Sequence, residues 1–247
     1  MPTIDLNADL GEGCDSDAAI MPFLTSVNIA CGGHAGDADS IRRALRLAGR
    51  HQVAVGAHPS YPDRAGFGRR SMAITPTALG DSLQQQIADF QQIASEAEIR
   101  VNHVKPHGAL YNDAVANADV AEAIVQTVCR CLPNGFLFGP PVGDLQRIAK
   151  DQGLTYVREG FADRRYRSDG SLVSRDQALA MLETISAQVE QAVQIAVDRR
   201  VTTSAGETIP IQVDSLCIHG DQPLAVATAR AIHERLVAAG IQIRCPK

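Results

Sequence analysis

Residues 3–13 read TIDLNADLGEG, and this stretch decides the fold. Asp5, Asn7 and Asp9 alternate with apolar residues, and a period of two places the polar side chains on one face of a β-strand. In a closed barrel the apolar face of such a strand meets the surrounding helices, and the carboxylates point inward, where they need a partner, a metal or a ligand. An amphipathic edge strand would show the same alternation. Glu12 follows in a turn flanked by glycines, close enough to reach the same pocket.

The rest of the chain repeats a rhythm of strand followed by helix. Short apolar segments predict seven strands, at residues 3–10, 23–30, 53–58, 101–105, 135–139, 155–161 and 215–219. Apolar residues recur at steps of three or four in five stretches between or after them, at residues 41–48, 83–94, 120–132, 182–196 and 225–236, as in helices with one buried face. We therefore predict parallel βα units in one closed or doubly wound sheet, forming a single domain over residues 1–247. The segment 199–211 breaks the rhythm and is interpreted as a small hairpin.

The composition excludes several classes of protein. The chain has 247 residues, a formal net charge of -5 and 45% hydrophobic residues, which is enough for a globular core and excludes a disordered chain. A mild acidic excess without a basic run disfavours nucleic acid and anionic membranes as partners, so a small-molecule substrate is expected. Six cysteines without a CxxC pair indicate reduced thiols, and the N-terminus lacks the pattern of a signal peptide. We expect a cytoplasmic protein.

Polar, glycine-rich sequence follows nearly every predicted strand. In parallel α/β folds the carboxyl ends of the strands lie on one face, and in barrels that face holds the active site. The residues that this rule would gather are Asp9, Glu12, His34, Asp37, His58, Asp63, Lys105, His107, Asp163, Arg164, His219 and Asp221. Solvated loops are the alternative for these exits, and Asp221 is also placed to cap the helix that follows it.

The tract HVKPHG at residues 103–108 places His103, Lys105 and His107 on alternate positions of a strand end. On a straight strand the two histidines would be roughly 13 Å apart, so a shared metal ion requires a bend at Pro106. Lys105 is a candidate to hold a carboxylate or phosphate, or to act as a base with a lowered pKa. An exposed loop lysine is the alternative.

The loop GAHPSYPDRAGFGRR at residues 56–70 contains Arg64, Arg69 and Arg70, which could clamp a carboxylate or a phosphate. A solvated basic loop is the rival interpretation. The sequence contains no GxGxxG, no GxxxxGK[ST] and no GxSxG motif, which argues against a P-loop nucleotide site and a serine nucleophile elbow in this chain.

Taken in order, the segments DLNADLGEG, NIACGGHAGD, GAHPSYPDRAGFGRR, HVKPHGALYN, FADRRY and CIHGD resemble the signature segments of the LamB/YcsF family, and the resemblance spans almost the whole chain. One departure is Gly33, which stands where the family usually has an aromatic residue. The resemblance implies an α/β fold, a distorted seven-stranded TIM-like (β/α) barrel of the glycoside hydrolase/deacetylase type.

The resemblance also implies a hydrolase that acts on a cyclic amide and is coupled to ATP hydrolysis. The implied reaction opens 5-oxo-L-proline (pyroglutamate) to L-glutamate together with two partners, 5-oxoprolinase subunits B and C. An unstrained five-membered lactam is a poor electrophile, so coupling to ATP is chemically reasonable. Because no nucleotide motif is visible here, the partners are expected to supply part of the phosphoryl chemistry. Association with further copies of this chain stays open.

Within this expectation, Asp9 or Glu12 positions or activates water, and Lys105 with His107 and His58 stabilises developing negative charge. The residues expected to bind substrate are Asn7, His34, Asp63, Arg64, Arg69, Arg70, Asp163, Arg164 and His219. Two alternatives stay open. One is a metal-dependent, deacetylase-like hydrolase in which Asp9, His34 and His58 hold a divalent ion. The other is a non-catalytic, substrate-binding subunit.

Overall fold

Seven parallel strands close a barrel in the computed structural model, which describes residues 2–175, 177–220 and 224–246. The barrel strands are β1 (Thr3–Leu10), β2 (Ser26–Ala30), β3 (Ala54–His58), β4 (Val101–Val104), β5 (Phe136–Gly139), β6 (Thr155–Phe161) and β9 (Ser215–Cys217). They follow one another around the barrel in that order, and β9 closes it by pairing with β1. Two strands form the antiparallel hairpin, β7 (Arg200–Thr202) and β8 (Thr208–Pro210), and β10 (Gln242–Ile243) pairs with the start of β1.

Helices connect the strands and cover the outside of the barrel. They are α1 (Asp17–Ile20), α2 (Ala38–His51), α3 (Pro76–Glu96), α4 (Gly108–Asp113), α5 (Ala118–Cys131), α6 (Asp144–Asp151), α7 (Ile185–Val193) and α8 (Ala225–Ala238). A 3-10 turn at Met21–Phe23 follows α1, and a π-helical turn at Gln194–Asp198 follows α7. No helix in the described residues is long and apolar enough to span a membrane. All six cysteines are free thiols.

The seven predicted strands and the hairpin at 199–211 are confirmed, and the sheet is closed rather than doubly wound. The second strand begins at Ser26 instead of residue 23, because Pro22 lies in the 3-10 turn before it. The predicted helix over 182–196 is longer than α7, and the buried positions of α7 include Gln188 and Gln191 instead of the expected apolar stripe. The predicted cap at Asp221 lies outside the described residues.

The alternation in β1 is confirmed as an inward polar face and an outward apolar face. Asp5 and Asn7 are buried inside the barrel, where Asp5 lies opposite Ser215 of β9 and Asn7 lies opposite Ser26 of β2. The apolar residues of the strand, Leu6, Ala8 and Leu10, are completely buried in the hydrophobic core. A closed barrel leaves no edge to solvate, so the inward polar groups must satisfy one another.

Asp5 shows how the lower layer of the barrel is satisfied. Its carboxylate accepts hydrogen bonds from the hydroxyls of Thr25 at 2.7 Å, of Ser26 at 2.6 Å and of Ser215. Burial nevertheless raises the pKa of Asp5 from 3.8 to about 6, because three hydroxyl donors only partly replace the water that an ionised carboxylate loses. The folded state therefore binds this proton more tightly than the unfolded chain.

We expect this raised pKa to appear as a pH-dependent part of the stability. The contribution is complete below about pH 4 and is lost as the pH rises through 6, and the shift from 3.8 to about 6 corresponds to about 3 kcal/mol. Asp5→Asn cannot bind the proton. The free energy of unfolding of the wild type, measured in urea and taken relative to Asp5→Asn, should therefore fall by about 3 kcal/mol between pH 4 and pH 7. Parallel pH profiles of the two proteins would contradict this assignment.

Candidate active site

A cavity of about 480 Å³ opens at the carboxyl ends of the barrel strands. Nine of the residues singled out in the sequence line it: Asp9, Glu12, His58, Arg69, Arg70, Lys105, His107, Arg164 and His219. Four others, Asn7, His34, Asp63 and Asp163, are not among the lining residues, and neither is Arg64. Asp37, also expected at this mouth, instead caps α2 by accepting from the backbone nitrogen of Ser40 at 2.8 Å. All five candidate catalytic residues nevertheless line this cavity, as expected when the carboxyl ends of parallel strands lie on one face.

Lys105 lies at the floor of this cavity and is only 2% exposed. Its Nζ lies 2.8 Å from Oδ1 of Asp9, 2.8 Å from Oε1 of Glu159 and 3.1 Å from Sγ of Cys217. Burial alone would lower the pKa of Lys105, but the charge of Asp9, supported by Glu159, raises it well above its usual value. The side chain is therefore an ammonium at neutral pH, and a base with a lowered pKa is excluded by its surroundings.

Asp9 links the ammonium to the histidines. Its Oδ1 accepts hydrogen bonds from Lys105 and, at 2.8 Å, from Nδ2 of Asn28, and its Oδ2 lies 3.3 Å from Nε2 of His58. Burial would raise the pKa of Asp9, but His58 and Lys105 hold it well below its usual value. Beneath it, Asn7 donates to Glu159 at 2.9 Å and accepts from Asn28 at 2.8 Å. Asn7 is thus part of the network that supports the floor.

Three histidines and Glu12 form a compact cluster beside Asp9. Gly11 and Gly13 have φ values of 75° and 90°, which allow the chain to turn so that the Glu12 side chain reaches the mouth of the barrel. Oε1 of Glu12 lies 3.0 Å from Nε2 of His34, and the ring of His34 stacks on that of His107 with centroids 3.6 Å apart. Burial lowers the pKa of His34, and burial with the neighbouring rings lowers the pKa of His107 well below its usual value.

Two residues that line the cavity have a buried polar atom without a hydrogen-bond partner among the described residues. The Tyr111 hydroxyl and Nε of Arg164 have no hydrogen bond within the described part of the chain, and both residues line the cavity. Burial lowers the pKa of Arg164 to about 10, so the guanidinium remains charged at neutral pH. Beside them, His219 pairs with Oδ2 of Asp163 at 2.7 Å and stacks on Phe161. The two unpaired atoms are themselves buried, although other atoms of both residues line the cavity.

In the arginine-rich loop at residues 56–70, some polar side chains stabilise the loop and others line the cavity. Oδ1 of Asp63 accepts from the backbone of Gly66 within the loop, and Nη1 of Arg64 donates to the carbonyls of Gly32 and Gly36, which ties the loop to the segment after β2. The guanidinium of Arg69 lies 4.8 Å from the centre of the Phe67 ring, at the cavity. Of the three arginines, only Arg69 and Arg70 line the cavity.

His103 does not join the histidine cluster. Its ring stacks on Phe138 inside the barrel, over Gly56, and its Nε2 donates to Oδ1 of Asn28 at 2.8 Å. Burial lowers its pKa to about 3, so the ring is neutral. A Cβ at Gly56 would lie only 2.2 Å from this ring, which explains the glycine within β3. The HxxxH pair is therefore split between the interior and the mouth.

At Gly33 the side chains of Gln86 and Ser60 occupy the space that a larger residue would need. A Cβ at this position would lie 2.3 Å from Oε1 of Gln86 and 2.5 Å from Oγ of Ser60. Gln86 reaches from α3 and holds the backbone of Ser60 through its amide oxygen and nitrogen. The space that a larger side chain at position 33 would need is therefore filled from α3.

Sequence reasoning missed three residues that shape the site. Glu159 lies in β6 two residues before its end, and the period-two argument used for β1 would have pointed it inward. Tyr111 is in the quoted tract HGALYN but gave no signal of its own. Gln191 lies on α7, and its Nε2 donates to the carbonyls of Phe161 at 2.9 Å and of Arg164 at 2.7 Å. A glutamine on a buried helix face is the signal that could have found it.

Comparison with known proteins gives matches over nearly the whole chain. A model of the LamB/YcsF family matches residues 4–247. A protein of Methylococcus capsulatus, named as the A subunit of 5-oxoprolinase, is 46% identical over 246 residues, covering 98% of this chain and 95% of that protein. A protein of the same name from Nocardia farcinica is 43% identical, covering 97% and 98%. The lactam utilization protein from Thermus thermophilus has a TM-score of 0.91 at 36% identity, covering 98% of this chain and 99% of that one.

We expect Gln191→Leu to destabilise the protein by about 2–3 kcal/mol, because it leaves buried carbonyls at the end of β6 without a donor. Urea unfolding measures the effect. Gln85→Leu on the exposed face of α3 is the matched control and should change the free energy of unfolding by less than about 0.5 kcal/mol. Equal effects of the two substitutions would show that the contacts of Gln191 with these carbonyls contribute nothing.

Proposed function

Because this chain belongs to the LamB/YcsF family, we propose that it is the A subunit of an ATP-dependent 5-oxoprolinase in the cytoplasm. In this proposal it opens 5-oxo-L-proline to L-glutamate together with subunits B and C. Support comes from relatives of that name that are 43% and 46% identical over nearly the full length. The observation that carries the proposal is a small, charged cavity with a buried ammonium at its floor and three arginines, Arg69, Arg70 and Arg164, among its lining residues.

The cavity suits a small anion with a polar ring. Arg69, Arg70 and Arg164 line it, and a planar guanidinium binds a carboxylate through two parallel hydrogen bonds. At about 480 Å³ the cavity also exceeds what one five-membered ring fills, which leaves space for a phosphate or for a segment of a partner subunit.

The chemistry explains why ATP is required. An amide carbonyl in an unstrained ring resists attack by water, and its nitrogen is a poor leaving group. Transfer of the γ-phosphoryl group of ATP to the lactam oxygen would release ADP and make the ring carbon more electrophilic. Water then adds to that carbon, the carbon–nitrogen bond breaks, and a second water releases phosphate to leave L-glutamate. Subunits B and C supply part of this phosphoryl chemistry in our proposal.

The residues at the cavity floor fit the charges that develop in this sequence. The Lys105 ammonium is fixed by Asp9 and Glu159 and therefore needs no reorganisation when negative charge forms on a substrate oxygen. Asp9 is ionised and lies against His58, so it is placed to position or activate water. Glu12 shares this task, and it lies in one cluster with His58 and His107.

The decisive experiment is glutamate formation from 5-oxoproline and ATP by the purified A, B and C subunits. Omitting this chain should abolish it. Lys105→Met and Asp9→Asn should each lower kcat by about 10²–10³ because each removes a fixed charge from the floor. Lys150→Met, at an exposed position of α6, is the matched control and should keep full activity.

Circular dichroism and co-purification with B and C must show that the variants fold and assemble. Full turnover by both floor variants would overturn these roles and favour a subunit that only binds substrate. Glutamate formation without this chain would overturn the proposed function itself.

A further inference from the structure

His58 and His107, at the mouth of the barrel, each turn a ring nitrogen toward the other. Nδ1 of His58 lies 2.7 Å from the carbonyl oxygen of Lys105, and Nε2 of His107 lies 3.0 Å from that of Phe67. A carbonyl oxygen only accepts, so each of these ring nitrogens holds the proton. The other two nitrogens, Nε2 of His58 and Nδ1 of His107, face each other at 3.0 Å. In neutral rings both present lone pairs, and Oδ2 of Asp9 lies 3.3 Å from the same nitrogen of His58, so these atoms need a cation among them, which is either a shared proton or a metal ion.

Glu12 adds a third ligand atom at the same place. Its Oε1 lies 3.5 Å from Nδ1 of His107 and 3.9 Å from Nε2 of His58. A triangle with sides of 3.0, 3.5 and 3.9 Å has a point about 2.0 Å from all three corners, which is the usual length of a zinc bond to nitrogen or oxygen. One ion therefore fits between the three atoms without moving them.

The ring orientations separate ligands from a supporting residue. The planes of His58 and His107 cross at 90°, so one ion can lie in both ring planes, as an in-plane lone pair of each ring requires. The ring of His34 is parallel to that of His107, at 1° and 3.6 Å, and cannot share an in-plane ion with it. Nε2 of His34 instead lies 3.0 Å from Oε1 of Glu12 and orients that carboxylate. His34 is thus a positioning residue.

We infer that Glu12, His58 and His107 form a site for one divalent transition-metal ion of the zinc class, with an open coordination position toward the cavity. Two imidazoles and a carboxylate are a common ligand set for such ions, and the hydrogen bonds from the far ring nitrogens to carbonyls are typical of metal-bound histidines. An ion there would supply a Lewis acid at the substrate cavity. The site differs from the set of Asp9, His34 and His58 considered from the sequence.

A second group of possible ligands lies nearby but is already neutralised. Atoms of Asp9, Cys217 and His219 also lie within 4.8 Å of one another. Nζ of Lys105 lies 2.8 Å from Oδ1 of Asp9 and 3.1 Å from Sγ of Cys217, so an ammonium occupies the place of the ion. A dication beside this fixed charge would be repelled, so of the two groups found among the described residues the Glu12 cluster is the candidate.

The test uses the full chain, stripped with a chelator and titrated with Zn²⁺ alone in a calorimeter. The wild type should bind one ion per chain. His107→Ala and Glu12→Gln should lose stoichiometric binding, whereas His34→Ala should bind one ion with about 10–100-fold lower affinity, as expected for a residue that supports a ligand. His51→Ala, on the exposed surface of α2, is the matched control and should bind like the wild type.

Cobalt absorption of the wild-type protein is a second measurement that does not depend on the folding of a variant. Co²⁺ held by two imidazoles and a carboxylate gives visible d–d bands without the thiolate charge-transfer band that Cys217 would produce. The inference is overturned by an absence of Zn²⁺ and Co²⁺ binding to folded wild type, by a thiolate band, or by wild-type affinity in His107→Ala. Absence of binding would mean that a shared proton separates the two ring nitrogens. Because the readout is metal content, it is independent of the proposed reaction.

Discussion

The structure depends on one buried ammonium and the carboxylates that neutralise it. Lys105 is enclosed by the barrel, and an isolated charge in such a place would cost several kcal/mol. Asp9 from β1 and Glu159 from β6 lie at hydrogen-bond distance on either side of it. The three residues come from strands that are distant in sequence, so the pairing is possible only when the barrel has closed. The same charges then form the floor of the cavity.

Because the Lys105 ammonium must be neutralised inside the barrel, the interior is polar, and the hydrophobic core lies on the outer side of the strands. The hydrophobic core lies between the strands and the helices, formed by residues such as Leu6 and Leu10. The inward layer is a continuous hydrogen-bond network in which Asn28 joins Asp9 and Asn7, and Asn7 joins Glu159. Each inward residue is fixed by at least one neighbour, which gives the charged groups at the floor little freedom to reorient.

Much of this arrangement could be predicted from local sequence, and the rest depends on partners from elsewhere in the chain. The alternation in β1 and the polar strand exits placed Asp9 and Lys105 correctly, because side-chain period and strand polarity are local properties. Glu159 was missed because its importance lies in a partner that is distant in the chain, Lys105. Arg64 was expected in the site, but a loop residue often satisfies nearby backbone carbonyls, and nothing in the loop sequence separates it from Arg69.

Asp9 contacts two parts of the site, the Lys105 ammonium and the cluster formed by His58 and Glu12. One carboxylate oxygen is held by the Lys105 ammonium, and the other faces Nε2 of His58 in the cluster with Glu12. A change of charge in either region therefore acts on the other through a single side chain, at distances where Coulomb interactions are strong in a buried setting. A substrate oxygen that approaches Lys105 would meet the fixed positive charge of its ammonium. This geometry favours reactions in which negative charge grows on that oxygen.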